Sequence, residues 1–382
     1  MTQRRIVILL LTLFLITLLA ACMPPPRPRV LWPVYPATPR IEWLGTFASQ
    51  DDFPKVSGQI FSELILGRNE PQIFKSPYGI VSDSQGRIYI ADALDANLRV
   101  YDLKARTIEY YSEDPIFTRP AGLAIDAADN LYVVDSELKA VLVFDKNRKP
   151  IRSIGVANEL QSPAYITIDA QRARIYVSDP KANKIVIYDR FGKKAGEIGA
   201  ERGSDSGDYH FSSPQGMAMD KSGHLYVAEL LGAKISVFDA DGHYLRSFGE
   251  RGDAQYQFEA PKDLAFDSDG NLWILDARRA QIYTYTPEGV LLLVTGTDGP
   301  SNHPLGFSTP TAIHISADDR IYVTDRLNRR FSMWHYFSED YLARHPFSAE
   351  EQRYLQEIGR RAVEEAEGAV KSPSPGLRPP SP

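Results

Sequence analysis

The chain has 382 residues, a single cysteine and a formal charge of −6. One cysteine excludes intrachain disulfides, a Cys-x-x-Cys-His haem site and any thiolate zinc centre. The acidic balance speaks against generic nucleic-acid binding, which cationic side chains drive.

The chain opens on an export-like segment. Arg4 and Arg5 precede an apolar run over 6–19, which is shorter than the roughly 20 residues of a membrane span but suits a cleaved h-region. It ends in Leu19-Ala20-Ala21-Cys22, which resembles the lipobox of bacterial lipoproteins. That resemblance implies a signal peptide over 1–21, cleavage before Cys22 and acylation of its thiol and new N-terminus. Loss of Arg4 and Arg5 would bring the mature charge near −8. Several acyl chains, at about 0.8 kcal/mol per buried CH₂, make a firm membrane anchor. Met23 is not the aspartate that retains related lipoproteins in the inner membrane, so the resemblance implies a cell-envelope protein of the outer membrane. Seven prolines between Pro24 and Pro39 predict an extended spacer over 22–39.

From Pro77 onward a unit of 43 to 51 residues recurs six times, starting at Pro77, Pro120, Pro163, Pro214, Pro261 and Pro310. Each proline precedes a short apolar run, a polar turn and a β-rich run ending in an acid, as in RIYIAD (87–92) and RIYVTD (320–325). A second β-rich run follows, as in LRVYD (98–102). That period is the length of one four-stranded propeller blade. The segment from Gly249-Glu-Arg-Gly252 through Phe258 to Pro261 resembles the Gly-x-x-Gly, Phe, Pro linker of NHL repeats. The resemblance covers about 70–336 and implies an all-β fold, a six-bladed β-propeller. It leaves function open, because such propellers include enzymes, scaffolds and RNA binders.

Two aromatic columns recur once per blade: Tyr89, Tyr132, Tyr176, Tyr226, Trp273 and Tyr322, then Tyr101, Phe144, Tyr188, Phe238, Tyr285 and Trp334. Regular placement in every blade predicts packing between blades. The acids Asp92, Asp135, Asp179, Glu229, Asp276 and Asp325 each open a tight connection, where a carboxylate accepts local N–H bonds.

Fourth strands are legible in five blades, over 106–111, 151–155, 195–199, 244–249 and 290–296. The sixth lacks one. Arg40-Ile41-Glu42-Trp43-Leu44-Gly45 resembles the fourth strand at 244–249, so residues 40–47 are expected to close the last blade of a propeller spanning 40–336. Helices are expected at 57–66 and within 345–370, the latter opening on a Ser348/Glu351 capping box. A Pro/Ser-rich tail, 371–382, completes the chain.

Channel-lining positions follow each proline. The lactonases and lyases related to NHL proteins hold metals at the channel mouth, and calcium needs six to eight oxygen ligands. Here Asp263 is the sole acid among those positions, beside Lys262, and His314 is the sole inner-strand histidine. No metal and no cofactor are therefore expected, and Tyr165, Lys262, Asp263 and His314 form the candidate axial pocket. The connections after the second strands carry many cations, and Arg278, Arg279, Arg329 and Arg330 form the candidate partner face. The leading expectation is a membrane-tethered, non-catalytic module that binds a protein partner in the envelope. Family association makes an exported multihaem cytochrome the candidate partner. The alternative is an axial-site hydrolase or lyase.

Overall fold

The computed structural model describes residues 29–33, 36–53, 73–155, 158–199, 209–252, 254, 257–297 and 299–371. The leader, Cys22, the start of the spacer, the expected helix at 57–66 and the tail from 372 lie outside the described residues.

Six antiparallel sheets make six blades, five of four strands and one of five. The inner strands are Pro77–Ser82, Pro120–Ile125, Ile166–Asp169, Pro214–Met219, Pro261–Phe266 and Pro310–Ile315, numbered here as blades 1 to 6. Six hydrophobic clusters each join two consecutive blades, the last one joining blade 6 to blade 1. The core is thus a ring of wedges. The aromatic columns fill it: Tyr101, Tyr176, Tyr188, Phe238 and Trp273 are almost wholly buried. Each such ring contributes about 1.5–3 kcal/mol of burial. Phe74, Phe117, Phe211, Phe258 and Phe307, three residues before the blade-opening prolines, are buried in the same wedges.

Ile41–Phe47 supplies the fourth strand of blade 6 and pairs with Arg330–Tyr336, Ile41 opposite Tyr336 and Phe47 opposite Phe331. Ile41 is fully buried, and Phe47 stacks on Phe331 with centroids 5.2 Å apart. The ring therefore closes by joining a strand that precedes the repeats to the last strand of the repeats.

One expectation needs correction. The spacer was expected to stay extended and unpaired through 39, but Val30–Trp32 forms a fifth strand on blade 6, paired with Ile41–Trp43. The β-prone Val-Leu-Trp triplet lies between Pro28 and Pro33, and an outermost strand tolerates flanking prolines because its free edge donates no ladder bond. Trp32 also donates its Nε1–H to the carbonyl of Val294, 3.1 Å away.

After the ring come helix α1 (Glu339–Arg344) and helix α2 (Ala349–Lys371). The capping box forms: Ser348 N–H donates to the Glu351 carboxylate (2.9 Å) and Glu351 N–H to the Ser348 hydroxyl (3.2 Å). Among the described residues no helix is long and apolar enough to cross a membrane.

The acids that end the second strands do more than shape the turn after them. Asp92 accepts N–H bonds from Lys75 and Ser76, Asp135 from Thr118 and Arg119, and Asp276 from Glu259 and Ala260. Each carboxylate reaches back to the linker preceding its own inner strand. Asp135 and Asp276 also take two N–H bonds from the turn ahead. These acids are backbone clamps.

Candidate functional site

Each inner strand has a sheet neighbour on one side only, so its other edge faces the axis. Near their starts the inner strands approach each other closely. A Cβ on Gly79 would lie 2.2 Å from the carbonyl oxygen of Ala121, and one on Gly122 would lie 2.6 Å from that of Ala164. Glycine is required at these two contacts. At the same repeat position blades 3, 5 and 6 carry Tyr165, Asp263 and Ala312. The axis is therefore asymmetric.

Tyr165 crosses it. Its hydroxyl donates to the carbonyl of Thr311, 2.6 Å away, in the blade directly opposite. The ring packs against Tyr78 (centroids 5.6 Å apart), and the Lys262 ammonium lies over both rings at 5.5 and 5.6 Å. Lys262 donates to Gln215 Oε1 at 2.7 Å. Tyr165, Gln215 and Thr311 are all buried. These side chains seal the channel on the face where the prolines start. Of this plug the sequence pointed to Tyr165 and Lys262 and missed Tyr78, Gln215 and Thr311, whose polar character at the position after each proline was the available signal.

Asp263 lies behind the plug, in the wall of a cavity of about 290 Å³. Its carboxylate accepts N–H bonds of 2.9 Å from Leu264 and from Ile313 of the next blade. Burial pushes its pKa up to about 7, against the pull of those two bonds and of the Lys262 ammonium.

His314 belongs to the other end. It lines both this cavity and a wider mouth of about 800 Å³, shared with Ser82, Tyr322 and the turns after the inner strands. Its Nε2 is 2.9 Å from Ser82 Oγ, and its ring stacks on Tyr322 with centroids 5.9 Å apart. Burial lowers its pKa to about 4, with Asp318 opposing, so the imidazole is neutral at pH 7. The candidate pocket thus divides: Tyr165, Lys262 and Asp263 gather near the closed end, and His314 sits at the open one.

The four partner-face arginines also divide. Arg330 is buried and donates to the carbonyls of Asn302, His303 and Gly306. Arg279 is half-buried and donates to the Gly252 carbonyl. Arg278 is exposed and pairs with Glu259 at 3.1 Å, and Arg329 is exposed.

Among the described residues no donor set suits a calcium or zinc ion. Asp263 is flanked by an ammonium and engaged by two N–H groups, and among the described residues no three His, Cys, Asp or Glu side chains could hold a metal ion together.

Residues 155–249, roughly a quarter of the chain, match the family described as SMP-30/Gluconolactonase/LRE-like region. A gluconolactonase from Xanthomonas campestris superposes over 82% of this chain and 99% of its own, with 16% identity and a TM-score of 0.54. Virginiamycin B lyase from Staphylococcus aureus does so over 68% and 95%, with 15% identity and a TM-score of 0.52. A structural genomics protein of unknown function from Bacteroides thetaiotaomicron covers 69% and 70%, with 15% identity and a TM-score of 0.58. The chain shares their fold. No curated protein matches it in sequence.

Proposed function

We propose that this propeller is an axial-site hydrolase or lyase acting on a small organic molecule. One observation carries the reading: Asp263 is a buried carboxyl in the wall of a channel closed at one end, with a pKa of about 7. A group that titrates at working pH inside a cavity can both give and take a proton, which suits a general acid–base. The likeness of fold to a gluconolactonase and a lyase supports the direction but does not assign the chemistry. The test is turnover of a panel of esters, lactones and cyclic depsipeptides by the purified protein. Asp263→Asn should lower kcat/KM about 10²–10³-fold, as loss of an acid–base group does. Unchanged kcat/KM in that variant would remove the proposal.

A second reading, the binding module at the envelope, is favoured by a different observation. Leu94, Leu231 and Leu327 occupy one position in three of the connections after the second strands and are 66%, 69% and 66% exposed. With Arg278 and Arg329 on the same face, they suit an acidic protein partner such as a haem-propionate-bearing cytochrome, on a chain tethered through Cys22. Reversing Arg278 and Arg329 should slow partner capture at low salt. Equal capture rates would leave the face without that role.

A further inference from the structure

The sixfold repeat supplies its own control for each channel position. Five places after the opening proline the blades carry Ser82, Ile125, Ile168, Met219, Phe266 and Ile315, so blade 1 alone is polar there. One place earlier they carry Val81, Ala124, Thr167, Ala218, Ala265 and His314, so blade 6 alone has a titratable group. One place later five blades have aspartate, and blade 6 has Ser316. In blades 1, 2 and 5 that aspartate accepts a bond from the second-strand aromatic: Tyr89 to Asp83, Tyr132 to Asp126, Trp273 to Asp267. With Ser316 in its place, Tyr322 has no such carboxylate. Three departures from the repeat thus meet where blades 6 and 1 close the ring.

From this convergence we propose that Ser82 and His314 are a nucleophile–base pair at the open end of the channel, hydrolysing small uncharged esters or lactones by acyl transfer. The proposal rests on the axial-site reading above and names its substrate class. Ser82 Oγ and His314 Nε2 are 2.9 Å apart, hydrogen-bonded, and both line the mouth. A neutral imidazole protonated at Nδ1 takes the Ser82 proton at Nε2 as Oγ bonds to the carbonyl carbon. The carbon–oxygen bond of the leaving alcohol then breaks, and that alcohol takes the proton from His314. Water attacks the acyl-Ser82 ester with His314 again as base, which releases the acid and restores the hydroxyl. One water is consumed per turn. The mouth carries Asp83, Asp126, Asp129 and Asp318 against Lys104 and Arg320, a balance that repels anionic substrates.

The test is covalent. The purified full chain is treated with a small alkyl fluorophosphonate and followed by intact mass and peptide mapping. The expected result is one adduct on Ser82, absent in Ser82→Ala and formed at least 100-fold more slowly in His314→Gln and His314→Asn. All variants are checked for the parent's melting temperature. No adduct in the parent, an adduct elsewhere, or equal rates in the folded His314 variants would overturn the pair. If turnover survives Ser82→Ala but falls in Asp263→Asn, the axial-enzyme reading stands and the pair falls. If Ser82 is labelled while Asp263→Asn leaves turnover intact, the pair stands and only the acid–base role given to Asp263 falls.

Discussion

The hydroxyl of Tyr165, in blade 3, donates to the carbonyl of Thr311, in blade 6, across the axis of the ring at 2.6 Å. Both residues are buried, so Tyr165→Phe strands a carbonyl that water cannot easily reach. The expected loss is about 1–3 kcal/mol, read as a lower urea midpoint with an unchanged slope. An unmoved midpoint would show that the bridge adds nothing to stability.

Asp263 and His314 oppose each other in pH dependence. The folded pKa of Asp263 is raised from 3.8 to about 7, so between those values the unfolded chain ionises it while the fold keeps it protonated. Its contribution falls as pH rises, by up to about 4 kcal/mol at 1.36 kcal/mol per unit. His314 is lowered from 6.5 to about 4, so over that window the unfolded chain protonates it and the fold does not. Its contribution grows with pH, by up to about 3 kcal/mol. Relative to the parent, Asp263→Asn should tilt the stability–pH curve upward with pH between 4 and 7. His314→Gln should tilt it downward between 4 and 6.5. Parallel curves for all three proteins, by denaturant titration at each pH, would contradict both burials.

Ring closure depends on Ile41. Its side chain is fully buried and clusters with Trp273, Ile321, Trp334 and Tyr336. Ile41→Ala should cost about 2–5 kcal/mol, the usual range for such a truncation. Deleting 41–47 should cost more, because Arg330–Tyr336 would then be an uncovered edge. A deletion variant that melts with the parent would mean that the ring is held by other contacts.

The lipid anchor proposed at Cys22 has a direct check. Cys22→Ser should move the protein from the membrane to the soluble fraction without changing its circular dichroism. Unchanged membrane association would refute lipid tethering through Cys22.

The blades were legible because their chemistry is local and repeated: one proline, one aromatic and one acid per unit place inner strand, wedge and turn. Contacts between distant segments were not. Asp135 was expected to serve the turn beside it, yet it also holds Thr118 and Arg119, a register that strand pairing sets. Arg330 was expected on the surface. It turns inward because three loop carbonyls, those of Asn302, His303 and Gly306, need donors. Ser82 escaped notice because His314 lies 232 positions away and meets it only when the last blade docks on the first. The signal was present in the alignment of the repeats with one another, where each residue is the odd member of its column.

Pairing Ile41–Phe47 with Arg330–Tyr336 also fixes when this protein can finish folding. Ile41–Phe47, whose one local partner is the three-residue strand Val30–Trp32, must wait for its place in the ring until nearly the whole described chain has been synthesised. Five blades can each form their own sheet as they emerge, yet none of them offers Ile41 its place. A chain cut short after blade 5 would therefore carry two unsatisfied ends, an apolar opening strand and an unpaired wedge. The clasp thus works as a test of completeness, letting only full-length chains hide both ends from proteases and from each other.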